Sequence, residues 1–249
     1  MSSLKFHFGM SHARTSSRTS TTGRRSAPAT EAVEDYAKAI YALSRRLGGP
    51  VPTSALAERL DVAPSSVTAM LKRLDEARLV RHRRYRGVEL TPQGERVALE
   101  VIRHHRLLEA FLAEALGMPW DRVHDEAEVL EHYISEDLER RIANTLGNPE
   151  LDPHGDPIPS AELDLAADST IPLTELPRGQ KATFARVSDS DPAMLRHLAG
   201  LGIRPGMAIH ALGAEPFGGP LRVSVGETEH ALGVELAAKM RVEVAEGAR

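Results

Sequence analysis

Cysteine is absent from the 249 residues, and aromatic residues are few: one Trp, four Tyr and five Phe. The first absence excludes disulfides, thiolate zinc sites and cysteine nucleophiles, and it is compatible with a reducing cytosol. No apolar run approaches the roughly 18 residues a membrane helix needs, and residues 1–30 lack the apolar core of a signal peptide. The expected location is therefore cytoplasmic, with no membrane partner. A Gly-rich phosphate loop, a nucleophile elbow and a His-Glu-x-x-His pattern are also missing. A metallohydrolase, with Glu126 nominated as general base, thus has little to stand on, and neither enzyme activity nor a small-molecule substrate is expected.

Each half of the chain is poor in charge of one sign. Residues 1–96 hold 9 Asp/Glu against 17 Lys/Arg, a net +8; residues 97–249 hold 14 Lys/Arg against 26 Asp/Glu, a net −12. A basic front joined to an acidic rear suggests a polyanion binder coupled to a cation binder.

Residues 1–30 are rich in Ser, Thr and Arg without periodicity, and read as a disordered basic tail. Arg14, Arg18, Arg24 and Arg25 are placed to touch phosphates, and an untranslated or cleaved start is an equal reading. Helical spacing begins near Glu31 and runs through Val33, Tyr36, Ile40 and Leu43 to the stop at Gly48-Gly49-Pro50. Two short helices follow, joined by Asp61-Val62-Ala63, the pattern of a helix-turn-helix. Thr53 or Ser54 is expected to cap the first and Ser65 the second. Val67, Leu71 and Leu74 face inward, which leaves Ser65, Ser66, Thr68 and Lys72 on an outer face fit for a major groove. Leu79 to Leu90 then alternates around a turn as a two-stranded wing. It offers Arg81, Arg83, Arg84 and Arg86 to phosphates or a minor groove.

Glu95 to about Leu116 predicts a long amphipathic helix carrying the i, i+4 pair His105 and Glu109. After Met118-Pro119-Trp120, Asp121 is expected to cap a helix holding His124, Glu128, Glu131 and His132 on one face at i, i+4, i+7 and i+8. Two imidazoles and two carboxylates suit a divalent transition metal; a solvated acidic face is the bland alternative. Ser135 caps a further helix to Gly147, and two apolar helices in succession suit a dimer interface.

Proline concentrates in residues 147–180, which read as a linker containing Asp152-Pro153-His154-Gly155-Asp156-Pro157-Ile158-Pro159. Beyond it, short strands punctuated by Gly predict a small SH3-type β-barrel with a helix from Asp191 to Leu201. The expected fold class is α+β multidomain. A tail (1–30) precedes a winged helix-turn-helix (31–96), then a helical metal-binding and dimerisation domain (97–148), a Pro-rich linker (149–174) and an SH3-like domain (175–249).

These motifs taken together are specific. Glu34-Asp35-Tyr36-Ala37-Lys38-Ala39-Ile40-Tyr41, the winged helix, His105-Arg106-Leu107-Leu108-Glu109, Val123 to Glu128, Glu131-His132 and His154 to Pro159 occur in an order that resembles the diphtheria toxin repressor family of metal-dependent regulators. The resemblance spans roughly residues 31–246. It implies a homodimer that binds a palindromic double-stranded DNA operator when metal is bound. It also implies a primary metal site of Asp35, Glu128, Glu131 and His132. Iron-type members hold methionine and cysteine where this chain has Asp35 and Glu128, so the chain is similar to the manganese type. Mn²⁺ is the expected cofactor and Fe²⁺ the alternative. A second site resembles either His105, Glu109 and His124 with residues of the SH3-like domain, or Glu109, Asp152, His154 and Asp189. Asp191 reads equally as a helix cap. The binuclear arrangement of the shortest members needs an acidic residue where this chain has Lys38, and is not expected.

Overall fold

The structure is a computed structural model, and it describes residues 30–83 and 86–244. The expected tail, apart from Thr30, and Arg84 of the wing lie outside the described residues.

Helix α1 (Glu31–Leu47) buries Tyr36, Ile40 and Leu43 and ends at Gly48 in the left-handed conformation. Helices α2 (Thr53–Arg59) and α3 (Pro64–Glu76) form the helix-turn-helix. Ile40, Leu56, Val67 and Leu71 are fully buried in their common core. The expected side-chain caps are not made. Thr53 already lies inside α2, and Pro64 opens α3 at a position where its missing N–H costs nothing. Strands β1 (Val80–Arg83) and β2 (Gly87–Leu90) pair antiparallel as the wing, and Val51 bridges Val88 to extend it. A Cβ on Gly87 would stand 2.7 Å from the Val51 carbonyl oxygen, and φ there is +88°, so both sterics and backbone require glycine at this rung.

Helix α4 (Pro92–Glu114) is capped by Thr91, which accepts from the Gly94 N–H. It runs between the front of the molecule and α5 (Val123–Leu130) and α6 (Glu136–Thr145), with Ser135 capping α6 as expected. Two details differ from the sequence reading. Asp121 does not cap α5; it pairs with Arg196 at 3.2 Å. Helix α5 stops at Leu130, so Glu131 is its C-cap and His132 lies in the following turn rather than on the helix.

The C-terminal unit comprises β3 (Ile171–Pro172), β4 (Lys181–Val187), α7 (Pro192–Gly200), β5 (Ala208–Ala214), β6 (Leu221–Val225), β7 (Thr228–Leu232), α8 (Val234–Lys239) and β8 (Met240–Glu243). Its antiparallel sheet has the order β3-β8-β4-β5-β6-β7. Among the described residues β7 and β3 stay unpaired to each other, so this SH3-like sheet is open rather than closed as the expected barrel, and α8 has no counterpart in the sequence reading. Asp191 caps α7 by accepting from Ala193 and Met194 N–H groups.

Much of the proline-rich stretch is packed. Ile158 sits in the core of α4, α5 and α6, while Leu163 and Leu165 lie against the seam of α1 and α4. The His154 carbonyl accepts from Val187 N–H, and a Cβ on Gly155 would stand 1.9 Å from the Ala185 carbonyl oxygen. This turn is therefore stitched onto β4. Trp120, from the α4–α5 connection, joins the core of the C-terminal sheet.

Candidate metal centre and nucleic-acid interface

Four groupings of metal-type donors cluster where α1, α4, the α5 turn, the 152–156 turn and the loop after β4 meet. In each, the donor atoms lie within 4.8 Å of one another. Asp35, Glu131 and His132 form the first. His132 Nε2 is 3.2 Å from Asp35 Oδ1 and 3.7 Å from Glu131 Oε1, while its Nδ1 lies 2.6 Å from Glu34 Oε2. A ring nitrogen held by a carboxylate leaves the other nitrogen as the free donor, a common arrangement behind metal-binding imidazoles. Burial raises the Asp35 carboxyl above its usual range, against the pull of His132.

His105, Glu128 and Glu131 form the second grouping, and the Lys38 ammonium stands among them. It donates to Glu128 Oε1 at 2.6 Å and to both Glu131 oxygens at 2.9 and 2.8 Å. Glu131 is 1% exposed, and its Oε2 is also 2.5 Å from His105 Nδ1. The four residues expected at a primary site thus divide. Three converge, and Glu128 turns to Lys38 and His105.

Glu109 links the other two groupings. Its Oε1 is 3.1 Å from His105 Nε2 and 3.4 Å from His124 Nδ1, and its Oε2 is 3.7 Å from His154 Nδ1. Asp189 Oδ2 reaches His124 Nδ1 at 3.1 Å, so the domain of β4 contributes a carboxylate. Asp152, buried, accepts backbone N–H bonds from His154 and Asp156. His154 Nε2 donates to the Trp120 carbonyl at 2.7 Å, with the indole stacked beside the imidazole and Arg204 over the indole.

The protonation states follow from this crowding. Burial disfavours imidazolium at His105, but Glu109 and Glu131 outweigh it and raise the pKa to about 9. Asp189 and then Glu109 raise His124 to about 10. His154 rises to about 9, with Glu109 overcoming burial. Burial and the Glu109 charge lift Asp152 to about 8. Glu109, despite its burial, is held well below the usual carboxylate range by the three histidines.

The donor set fits a divalent cation. Both Glu109 oxygens and His154 Nδ1 are buried without a well-formed hydrogen bond, although imidazole nitrogens are near. Orphaned buried carboxylate oxygens are costly in a packed interior unless a cation completes them, and His154 Nδ1 can join them as a ligand once its proton is lost.

At the front, Ser65, Ser66, Thr68 and Lys72 are exposed on α3. The Thr68 hydroxyl donates to the Pro64 carbonyl, and the Lys72 ammonium is 3.9 Å from Glu76. Arg83 ends β1 and Arg86 lies in the turn, both exposed.

Comparison with known proteins places these features in a family. Residues 29–88 match the domain described as iron dependent repressor, N-terminal DNA binding domain. Residues 91–160 match the iron dependent repressor metal binding and dimerisation domain, and residues 171–244 match the FeoA domain. The iron-dependent repressor IdeR of Mycobacterium tuberculosis (strain ATCC 25618 / H37Rv) is 33% identical over 226 residues, covering 86% of this chain and 97% of that protein. The chain belongs to the iron-dependent repressor family. The diphtheria toxin repressor of Corynebacterium glutamicum is 31% identical over 228 residues, 87% of this chain and 98% of its own. A solved manganese-dependent transcriptional repressor in complex with manganese is 39% identical with a TM-score of 0.79, covering 86% of this chain and all of that one.

This repressor is a metal-dependent DNA-binding regulator with a dimerisation domain, and not an enzyme. No helix among the described residues is long and apolar enough to cross a membrane. Glu34 behind His132, His104 and Trp120 were given no role at the centre by the sequence, and Lys38, between the glutamates, was read there only as the wrong charge for a second ion. His104 Nδ1 lies 3.2 Å from the Glu131 carbonyl and its Nε2 3.1 Å from Glu139, tying the α5 turn to α6. The signal for Lys38 was present, since it follows Asp35 by three residues on α1 and shares its face.

Proposed function

We propose that the repressor responds to manganese, that Asp35, Glu128, Glu131 and His132 form its primary site, and that Glu109, Asp152, His154 and Asp189 form a second. His105 and His124 border both. The carrying observation is the 3.2 Å approach of Asp35 on α1 to His132 beyond α5, because it joins the DNA-binding unit to the dimerisation helices. When bound, a divalent cation would supply a second, more concentrated positive charge to this carboxylate-rich set. Asp35 and Glu34 fix α1 against the α5 turn, and α1 packs on α2, so the attitude of α3 depends on how these carboxylates are held. Exposed Val129, Leu130, Tyr133 and Leu138 suit burial against a second copy of the chain. The dimer then sets two α3 helices about one duplex turn apart on a palindromic operator, with metal-transport genes the expected targets. Metal and operator affinities are coupled reciprocally, typically by 1–3 kcal/mol.

Manganese is favoured because the proposed primary donors are oxygens and one imidazole, with no sulfur among them. Such a set lacks the soft ligands that favour the later metals, although intrinsic affinity order still runs against Mn²⁺, so geometry and supply must decide. Iron is the second reading, carried by the curated relatives named for it. Operator binding titrated with Mn²⁺ and Fe²⁺ at matched free concentrations tests the choice; a stronger response to Fe²⁺ overturns the manganese reading.

Glu128→Cys provides a sharper measurement. A thiolate at this position should retain metal-triggered DNA binding while lowering the Mn²⁺ response relative to Fe²⁺ and Co²⁺, and make affinity more pH-dependent. Glu126, exposed on the other side of α5, is the control: Glu126→Ala should respond as the parent does. A normal metal order in Glu128→Cys would remove this residue from the ligand set.

On the DNA side, Arg86→Ala should weaken operator and random duplex alike and reduce the salt slope by about 0.9, one phosphate's worth. Ser66→Ala should instead weaken the operator selectively. Filter binding across a salt series separates the two, and the reverse pattern would invert the docking.

A further inference from the structure

We infer that Lys38 is a built-in counter-cation for the primary metal site, holding Glu128 and Glu131 in the metal-free protein and competing with metal for them. This rests on the proposed primary site and adds a determinant of its affinity. Lys38 Nζ donates to Glu128 at 2.6 Å and to both oxygens of Glu131, and lies 3.2 Å from His105 Nδ1. Three short contacts from one ammonium to two carboxylates amount to the charge neutralisation a bound cation would otherwise supply. The Lys38 side chain is 19% exposed and that of Glu131 is 0% exposed, so the pairing is little screened by solvent.

Placement makes this a competition rather than a neutral contact. Asp35, Glu131 and His132 already have donor atoms within 4.8 Å of one another, whereas Glu128 is gathered with His105 and Glu131 around the ammonium. Glu128 cannot serve both cations at full strength. Recruiting it to the Asp35 side, and freeing Glu131, requires the ammonium to withdraw. Asp35 and Lys38 sit one turn apart on α1, so the ligand and its competitor ride on the same rigid element. The free energy spent on evicting Lys38 raises the metal concentration at which the protein responds.

The test combines direct metal binding with chemical accessibility, neither of which reads DNA binding. Lys38→Met removes the ammonium while keeping an unbranched stem. Its Mn²⁺ dissociation constant at the primary site, measured by electron paramagnetic resonance of free Mn²⁺, should fall about tenfold or more, the scale on which one adjacent charge shifts a carboxylate equilibrium. In the unaltered protein, acylation of Lys38 by an N-hydroxysuccinimide ester, followed by mass spectrometry, should be slow without metal and faster with saturating Mn²⁺. The second measurement needs no variant, so poor folding of Lys38→Met leaves the inference exposed to refutation. Unchanged or weaker Mn²⁺ binding by a folded Lys38→Met overturns it, as does a Lys38 equally protected with and without metal. Failure of the primary-site reading would look different: Mn²⁺ would bind Asp35→Ala as tightly as the parent.

Discussion

Glu131→Gln is expected to abolish metal-activated operator binding and to leave a folded protein of lower stability. Glu131 belongs to both groupings at the primary centre, those of Asp35 with His132 and of His105 with Glu128. Its carboxylate receives Lys38 on both oxygens and faces His105 at 2.5 Å, with 1% of the residue exposed. The amide keeps the shape and one acceptor oxygen. It loses the charge, and turns an N–H₂ group toward an ammonium and an imidazole that both call for an acceptor. Breaking a buried pair by removing one partner costs ~3–5 kcal/mol, and the retained acceptor argues for the lower end. His105 would lose one of the two carboxylates that hold its pKa at about 9, so its proton should come off at a lower pH. The measurements are circular dichroism for folding, electron paramagnetic resonance for Mn²⁺ uptake and fluorescence anisotropy for DNA. Full Mn²⁺ activation in Glu131→Gln would sink the idea that this carboxylate is the shared ligand.

The contrast between this residue and His132 shows where sequence reasoning reaches its limit. Helical periodicity identified α5 and placed His124, Glu128 and Glu131 on one face, because they follow the 3.6-residue repeat. It carried the helix too far. No Gly or Pro stands between Leu130 and Ser135 to signal a stop. The Leu130 carbonyl accepts instead from the Tyr133 N–H, and His104 on α4 lies at hydrogen-bonding distance from the Glu131 carbonyl. That termination is a tertiary event, and local pattern does not encode it. The helix-turn-helix and wing were readable because Val67, Leu71, Leu74 and the alternating wing residues bury one face over short spans. The capping error at Thr53 and Ser65 has a local cause: Pro52 and Ala63 are extended, and the chain enters each helix one or two residues earlier than the hydroxyls suggested. Proline content marked residues 149–174 as a linker. What it missed is the Leu151–Pro157 bridge, the Asp152 turn and the burial of Ile158, all of which depend on α4 and β4 being in place. Lys38 was noticed as the wrong charge for a second ion. Its hold on two carboxylates 90 and 93 residues away could come only from the assembled structure.

Between neutral pH and about pH 10, the metal-free protein should lose stability while its affinity for manganese rises. His105 and His154 titrate at about 9 and His124 at about 10, all above the value near 6.5 expected in the unfolded chain. A folded pKa raised in this way adds stability that is complete below about pH 6.5 and is lost as pH climbs through 9 to 10. Metal works in the opposite direction. Imidazoles ligate only when neutral, so each one that coordinates must first surrender its proton, and Asp152, at about 8, must do the same. Loading the proposed second site near pH 7.5 should therefore release protons, countable by calorimetry in two buffers of different ionisation enthalpy. Trp120, the single tryptophan, stacks on His154 and should report the event in its emission. Glu109→Gln is the decisive variant, because this carboxylate helps to raise all three histidines. Without it, His105 and His154 should titrate lower, the alkaline loss of stability should shrink and the second-site proton release should fall. His124 keeps Asp189 and should change least. If the parent binds manganese with the same affinity at pH 7 and pH 9, or if Glu109→Gln retains the full proton release, then Glu109 is not the hub of a second metal site, and its orphaned oxygens require another explanation.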